Sequence, residues 1–350
     1  MIKNQNGDTM FWTEGLRTLA TISVIFLHVV AEILYQYGNI SNFVWWTGNI
    51  YDSLMRFCVP VFVMLTGVFM LSRTHELSDF LRKRFSRIIL PFLFWSIIYA
   101  LYAWINKISE GQEVSLFKTL KWFIRQFLHG ASFHFWYIYM IIGIYLFIPI
   151  LSKWIQNATE KEILYFIFIW IFTLIAGQPV LSGFKSDIDL TYFSGFIGYL
   201  VLGYYLSIKS FTANKRVINL ISLFFLIFGF LITMLGTYFL SFYDKKFNGY
   251  FYNNFTLNVL MASGGIFMLF KNSKINSPIA SKTIRFINKY SYGVYLVHIL
   301  VLNFMKIYGI DCNFMNPIFA IPIATFVCLV ISTSIIYLIN KLPYGKYISG

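Results

Sequence analysis

The sequence predicts an all-α polytopic membrane protein of about ten transmembrane helices, with both termini in the cytoplasm. Three observations predict it. Hydrophobic residues make up 58% of the 350 and charged residues only 12%, about half the charge of a soluble globular domain. Apolar runs near the length that crosses a bilayer, about 20 residues, recur along the chain and leave no stretch for a sizeable soluble domain. Lys and Arg also alternate between successive loops, as the positive-inside rule requires.

The first run, residues 16–36, leads directly into further runs. It lacks the basic segment and small-residue cleavage site of a signal peptide, so it is expected to be a true span. Further spans are expected at 53–71, 88–105, 135–151, 162–176, 192–208, 217–238, 254–270, 290–308 and 318–340. The fifth is short, and Gln178-Pro179 breaks the chain after it. The loops after even-numbered spans, with the two termini, hold 18 Lys and Arg, against 7 in the loops after odd-numbered spans. That bias sets the expected orientation, with residues 10–340 as one membrane domain.

The longest connection, residues 106–134, is expected outside the cytoplasm. Within Val114–Leu128, Phe117, Leu120, Phe123, Ile124, Phe127 and Leu128 recur at helical spacing with Lys118, Lys121 and Arg125 between them, and Gly130 ends the pattern. This describes an amphipathic helix on the membrane surface, either an interfacial anchor or a lid or platform for an acceptor.

Composition also excludes. The net charge of +14 is spread through loops between spans, which speaks for membrane orientation and against a nucleic-acid partner. Cys58, Cys312 and Cys328 show no ligand spacing or pairing. No HxxxH, HExxH, CxxC, GxSxG or phosphate-loop pattern occurs, so no metal site is expected. No matching halves are found, which counts against a transporter built on repeats.

Ionisable residues inside spans are costly and mark function. Arg17 and His28 lie eleven residues apart in the first span. Eleven steps of about 100° return a helix to within about 20° of its starting face, roughly 16 Å along the axis. The two therefore share a face, Arg17 near the cytoplasmic surface and His28 deep. His298, in the ninth span, lies at comparable depth and is expected near the same cavity. Glu32, at i+4 from His28, either orients the imidazole or reaches the outer surface. Arg84 and Arg87 share a helix face at the mouth of the third span, where paired guanidinium groups suit a polyanion. Arg56 is i+4 from Asp52 and forms a local ion pair or holds substrate. His134 and Trp136 open the fourth span on the outer side, where Trp either anchors at the interface or holds a sugar.

Together these residues resemble the acyltransferase family 3 membrane proteins. The family's Arg-x10-His motif is matched by Arg17 and His28 in EGLRTLATISVIFLH, and its Arg-x-x-Arg motif by Arg84 and Arg87 in RFSRIILP. RFCVPVFVMLTG (Arg56 to Gly67), FHFWYIYMIIGIYLFIPIL (Phe133 to Leu151) and YSYGVYLVHIL (Tyr290 to Leu300) follow in order. The closest likeness is to bacterial surface-polysaccharide O-acetyltransferases of the cytoplasmic membrane.

The resemblance implies transfer of an acetyl group from acetyl-CoA, a co-substrate rather than a bound cofactor, to a hydroxyl of an envelope polysaccharide or its lipid-linked precursor. It makes His28 the general base, with an acyl-histidine intermediate as the alternative. Arg84 and Arg87 hold the CoA phosphates, and the arm passes Arg17 and Tyr295. Donors to the developing oxyanion come from His298, Tyr295 or, if the cavity bends, Arg17. His134, Trp136 and Arg56 meet the glycan acceptor. The competing function is a transporter or exporter of an envelope polysaccharide.

Overall fold

A computed structural model describes residues 11–110, 116–179, 181 and 188–350. All its regular structure is helical. In chain order the α-helices are α1 (Phe11–Tyr35), α2 (Asn42–Met55), α3 (Cys58–Met70), α4 (Leu77–Ser109), α5 (Leu116–His129), α6 (Trp136–Asn157), α7 (Glu160–Ala176), α8 (Ile197–Ile208), α9 (Lys215–Asp244), α10 (Leu257–Lys271), α11 (Pro278–Ile307), α12 (Pro317–Lys341) and α13 (Lys346–Ser349).

Local chemistry sets several boundaries. Thr159 and Glu162 form a reciprocal capping box at the start of α7, which satisfies two backbone donors left free by the helix geometry. Ser277 and Asn316 cap α11 and α12, each followed by a proline at the first helical position, where a missing N–H costs nothing. Between α2 and α3 the helix is interrupted at Arg56 and Phe57. Pro60 is the cause: it has no N–H for the Arg56 carbonyl, and its ring crowds that oxygen.

Seven described segments are long and apolar enough to cross a membrane: Phe11–Tyr35, Asn42–Met70, Leu77–Ser109, Phe133–Asn157, Lys215–Asp244, Pro278–Ile307 and Pro317–Lys341. This corrects the expectation of about ten. The runs expected at 162–176, 192–208 and 254–270 fold as α7, α8 and α10, of 17, 12 and 15 residues. At 1.5 Å per residue they reach about 26, 18 and 22 Å, short of a hydrocarbon core of about 30 Å. The expectation that both termini are cytoplasmic, set by the loop charge bias on a ten-span frame, falls with it. At 192–208 the apolar run includes residues before α8 that the chain bends away at Gly195, where φ is +82°. The second span also begins earlier than expected, because α2 carries Asn49 and Asp52 inward as buried polar residues.

Helices α8 and α10 pack inside the bundle, while α7 buries only the face carrying Ile163, Ile167, Trp170 and Leu174. Gly67 of α3 and Gly203 of α8 each lie where an added Cβ would fall within 2.3 Å of the other helix's backbone, so only small residues permit this approach. Helix α1 is central. Leu16, Ala20 and Val24 join one apolar core with α3, α6, α7, α8 and α10. Ile25, Val29, Val30 and Ile33 join a second with α4, α11 and α12. The third face of α1, with Thr13, Arg17, His28, Ala31 and Tyr35, is left to line a cavity between the two cores.

Helices α1 and α11 run parallel, side by side. At one end Thr18 donates to the Ile284 carbonyl at 3.2 Å and Glu14 pairs with Arg285 at 3.6 Å. At the other, Lys306 reaches both Glu32 oxygens at 2.7 Å. On the described part of the expected amphipathic segment, α5 forms a helix, and Lys107 sits 4.7 Å from the centre of the Trp122 ring. Val114 lies outside the described residues.

Candidate functional site

A cavity of about 800 Å³ follows the third face of α1. Its first end is basic. Arg84 and Arg87, one turn apart on α4, line it together with Arg73 from the α3–α4 connection, Glu14 and Asn288. Arg84 is half-buried and Arg87 exposed, so guanidinium groups at this mouth remain free to meet a polyanion. Arg17 comes next, its guanidinium 5.0 Å from the centre of the Phe69 ring. Tyr137 and Tyr145 of α6 and Tyr292 of α11 line the same stretch.

His28 lies farther along, half-buried on the cavity wall. The parallel pairing of α1 with α11 brings His298 to its level, with ring centres 5.1 Å apart. His298 is fully buried. Its Nδ1 lies 2.7 Å from the Tyr295 carbonyl. A carbonyl only accepts, so the proton sits on Nδ1 and Nε2 keeps its lone pair. That Nε2 has no partner among the described residues.

His134 makes a third ring, 5.1 Å from His298 and 6.4 Å from His28. It sits on the single helical turn Phe133–Phe135, with Ser132 Oγ 2.9 Å from its Nδ1. It is buried beneath the far end of the cavity, while Trp136, 46% exposed, lines that end with Phe133, Tyr35 and Asn254. The three imidazoles do not form a metal site: no group of three or more His, Cys, Asp or Glu among the described residues is placed to hold an ion.

Other nominated residues are distributed differently. Arg17 shares the cavity with His28 but lies against the Phe69 ring toward the basic end. His28 lies beside the His298 ring farther along. Arg56 lines the cavity from the α2–α3 break and pairs through Nε with Asp52. Glu32 turns from His28 to Lys306 and is 56% exposed. Tyr295 lines the cavity, and its hydroxyl donates to the His134 carbonyl. Sequence reasoning missed Arg73 and the row Tyr137, Ile141 and Tyr145, whose i, i+4, i+8 spacing on α6 was a usable signal.

The arrangement gives a base-capable imidazole within a long cavity, cationic at one end and aromatic at the other. Comparisons with known proteins point the same way. A family model described as an acyltransferase domain matches residues 10–337. Over 355 aligned residues the chain is 22% identical to "Putative membrane-bound acyltransferase YfiQ" of Bacillus subtilis (strain 168), across 96% of this chain and 92% of that protein. No solved structure matches the chain.

Proposed function

The chain belongs to the acyltransferase family whose model spans it, and from that premise we propose that this multi-pass membrane enzyme acetylates a cell-envelope glycan or its lipid-linked precursor. The donor is acetyl-CoA and His28 is the general base. The observation that carries this reading is the single cavity joining Arg73, Arg84 and Arg87 to His28 and onward to Trp136.

The basic mouth faces the cytoplasm, where the positive-inside rule puts such clusters. CoA is a polyanion with a long, thin arm. Its phosphates meet Arg84 and Arg87, for which the guanidinium fork is suited. The arm runs past Arg17 and the α6 tyrosines, and about 16 Å of helix separates Arg17 from His28. The acceptor enters by the aromatic end and presents a hydroxyl to the imidazole. A hydroxyl is a weak nucleophile until its proton has somewhere to go. A neutral histidine supplies that acceptor at ordinary pH. The bare Nε2 of His298, beside the His28 ring, is suited to receive the His28 N–H and so fix which nitrogen acts as base.

The test is a strain in which the native gene is replaced by the His28→Ala variant. Mass spectrometry of its envelope glycans should show loss of acetyl esters with the variant still present in the membrane. Unchanged glycan acetylation refutes the assignment.

A further inference from the structure

Asp52 and Arg56 form an ion pair at the break between α2 and α3. Asp52 is 1% exposed, and its Oδ2 has no partner among the described residues. Burying two charges carries a penalty that apolar residues of the same volume avoid. The chain nevertheless builds a frame around the pair. Asn49 Oδ1 accepts from Ser53 at 3.1 Å and from the Tyr252 hydroxyl at 2.6 Å. The Tyr252 ring in turn lies 4.0 Å from the Arg56 guanidinium. With Nε engaged by Asp52 and one face covered by Tyr252, the edge carrying the two Nη groups is left. These have no hydrogen-bond partner among the described residues, and Arg56 lines the cavity that holds His28.

The donors nominated from sequence are otherwise engaged. The Tyr295 hydroxyl donates to the His134 carbonyl, the His298 N–H to the Tyr295 carbonyl. Arg17 lies against Phe69 toward the basic mouth, whereas Arg56 comes to the same cavity from the α2–α3 break.

The geometry points to Arg56, held by Asp52, as the donor that stabilises the oxyanion formed beside His28; the assignment rests on the acyl-transfer reading above. His28 takes the proton of the acceptor hydroxyl as that oxygen bonds to the thioester carbon. The carbonyl π pair moves onto oxygen, and the Nη–H groups of Arg56 meet the new charge. Collapse re-forms the carbonyl, breaks the C–S bond and expels the CoA thiolate, which takes the proton back from His28. The products are the ester and CoA thiol. In a water-poor cavity a preorganised donor of this kind contributes a large part of the rate.

The experiment uses the purified full chain in lipid nanodiscs, straight-chain acyl-CoA donors from acetyl to octanoyl, and a total envelope-glycan extract as acceptor. The readout is CoA thiol release. Arg56→Ala should lower kcat by about 10²–10³-fold with little change in the KM for acyl-CoA, the pattern of an interaction made only in the transition state. Arg56→Lys, which keeps the charge but loses the fork, should fall between. Millimolar guanidinium should restore part of the Arg56→Ala rate and none of the His28→Ala rate, which separates a missing donor from a misfolded protein. A wild-type kcat in Arg56→Ala overturns the assignment, as does an unchanged kcat with a raised KM for acceptor, which would make Arg56 an acceptor-binding group. If His28→Ala matches wild type, the base assignment fails while the Arg56 kcat is still read independently. If the wild-type chain releases CoA from none of the donors, both fail together.

Discussion

The two halves of the cavity use charge in opposite ways. At the basic end, Arg17, Arg73, Arg84 and Arg87 come from three separate segments, and Arg73 and Arg87 are exposed. Around His28 the ionisable groups are tied to specific neighbours: His298 to the Tyr295 carbonyl, Arg56 to Asp52. The first half collects charge, and the second fixes it in place. A cluster of arginines attracts a polyanion through its sum, so no one member is indispensable. A buried imidazole or a framed guanidinium acts through direction, which a single substitution destroys.

The largest expected effect therefore lies in the second half. His28→Ala should lower turnover by about 10²–10⁴-fold, the usual range for loss of a general base, with acyl-CoA binding retained; steady-state kinetics alongside direct CoA binding will show it. Next comes the first half. Arg84→Ala with Arg87→Ala should raise the acyl-CoA KM by roughly 10–100-fold, as expected from the loss of two charge-assisted contacts, and leave kcat near wild type. Added salt should weaken wild-type CoA binding more than that of the double variant. A fall in kcat with unchanged KM would erase the contrast between the halves.

How much of this was legible in the sequence follows from distance along the chain. The shared face of Arg17 and His28 needs only helix geometry, and both line the cavity. The stacking of Arg56 on Tyr252, and the pairing of Glu32 with Lys306 some 274 residues away, depend on how helices pack. No local pattern carries that information. Span counting failed for a related reason. An apolar run records which residues avoid water, not how many continue one helix. The 12-residue α8 is as apolar as a span and is buried against α3 at Gly67 and Gly203 instead.

Two smaller effects sharpen the comparison at its edges. Gly203→Leu should destabilise the protein by about 1–3 kcal/mol or more, as overpacking does, visible as a lowered unfolding temperature in detergent. Glu32→Gln should change turnover less than about twofold, because its ion pair with Lys306 is exposed and such pairs contribute about 0–1 kcal/mol. A large loss of activity in that variant would return Glu32 to His28 as its orienting carboxylate.

The central claim is that His28 performs the chemistry on a donor held elsewhere in the same cavity. It is tested most directly by measuring acyl-CoA turnover and CoA affinity on one preparation of His28→Ala. The account predicts a turnover loss of at least about 10²-fold with CoA affinity equal to wild type. Retained turnover, or a CoA affinity that falls in step with it, would contradict it.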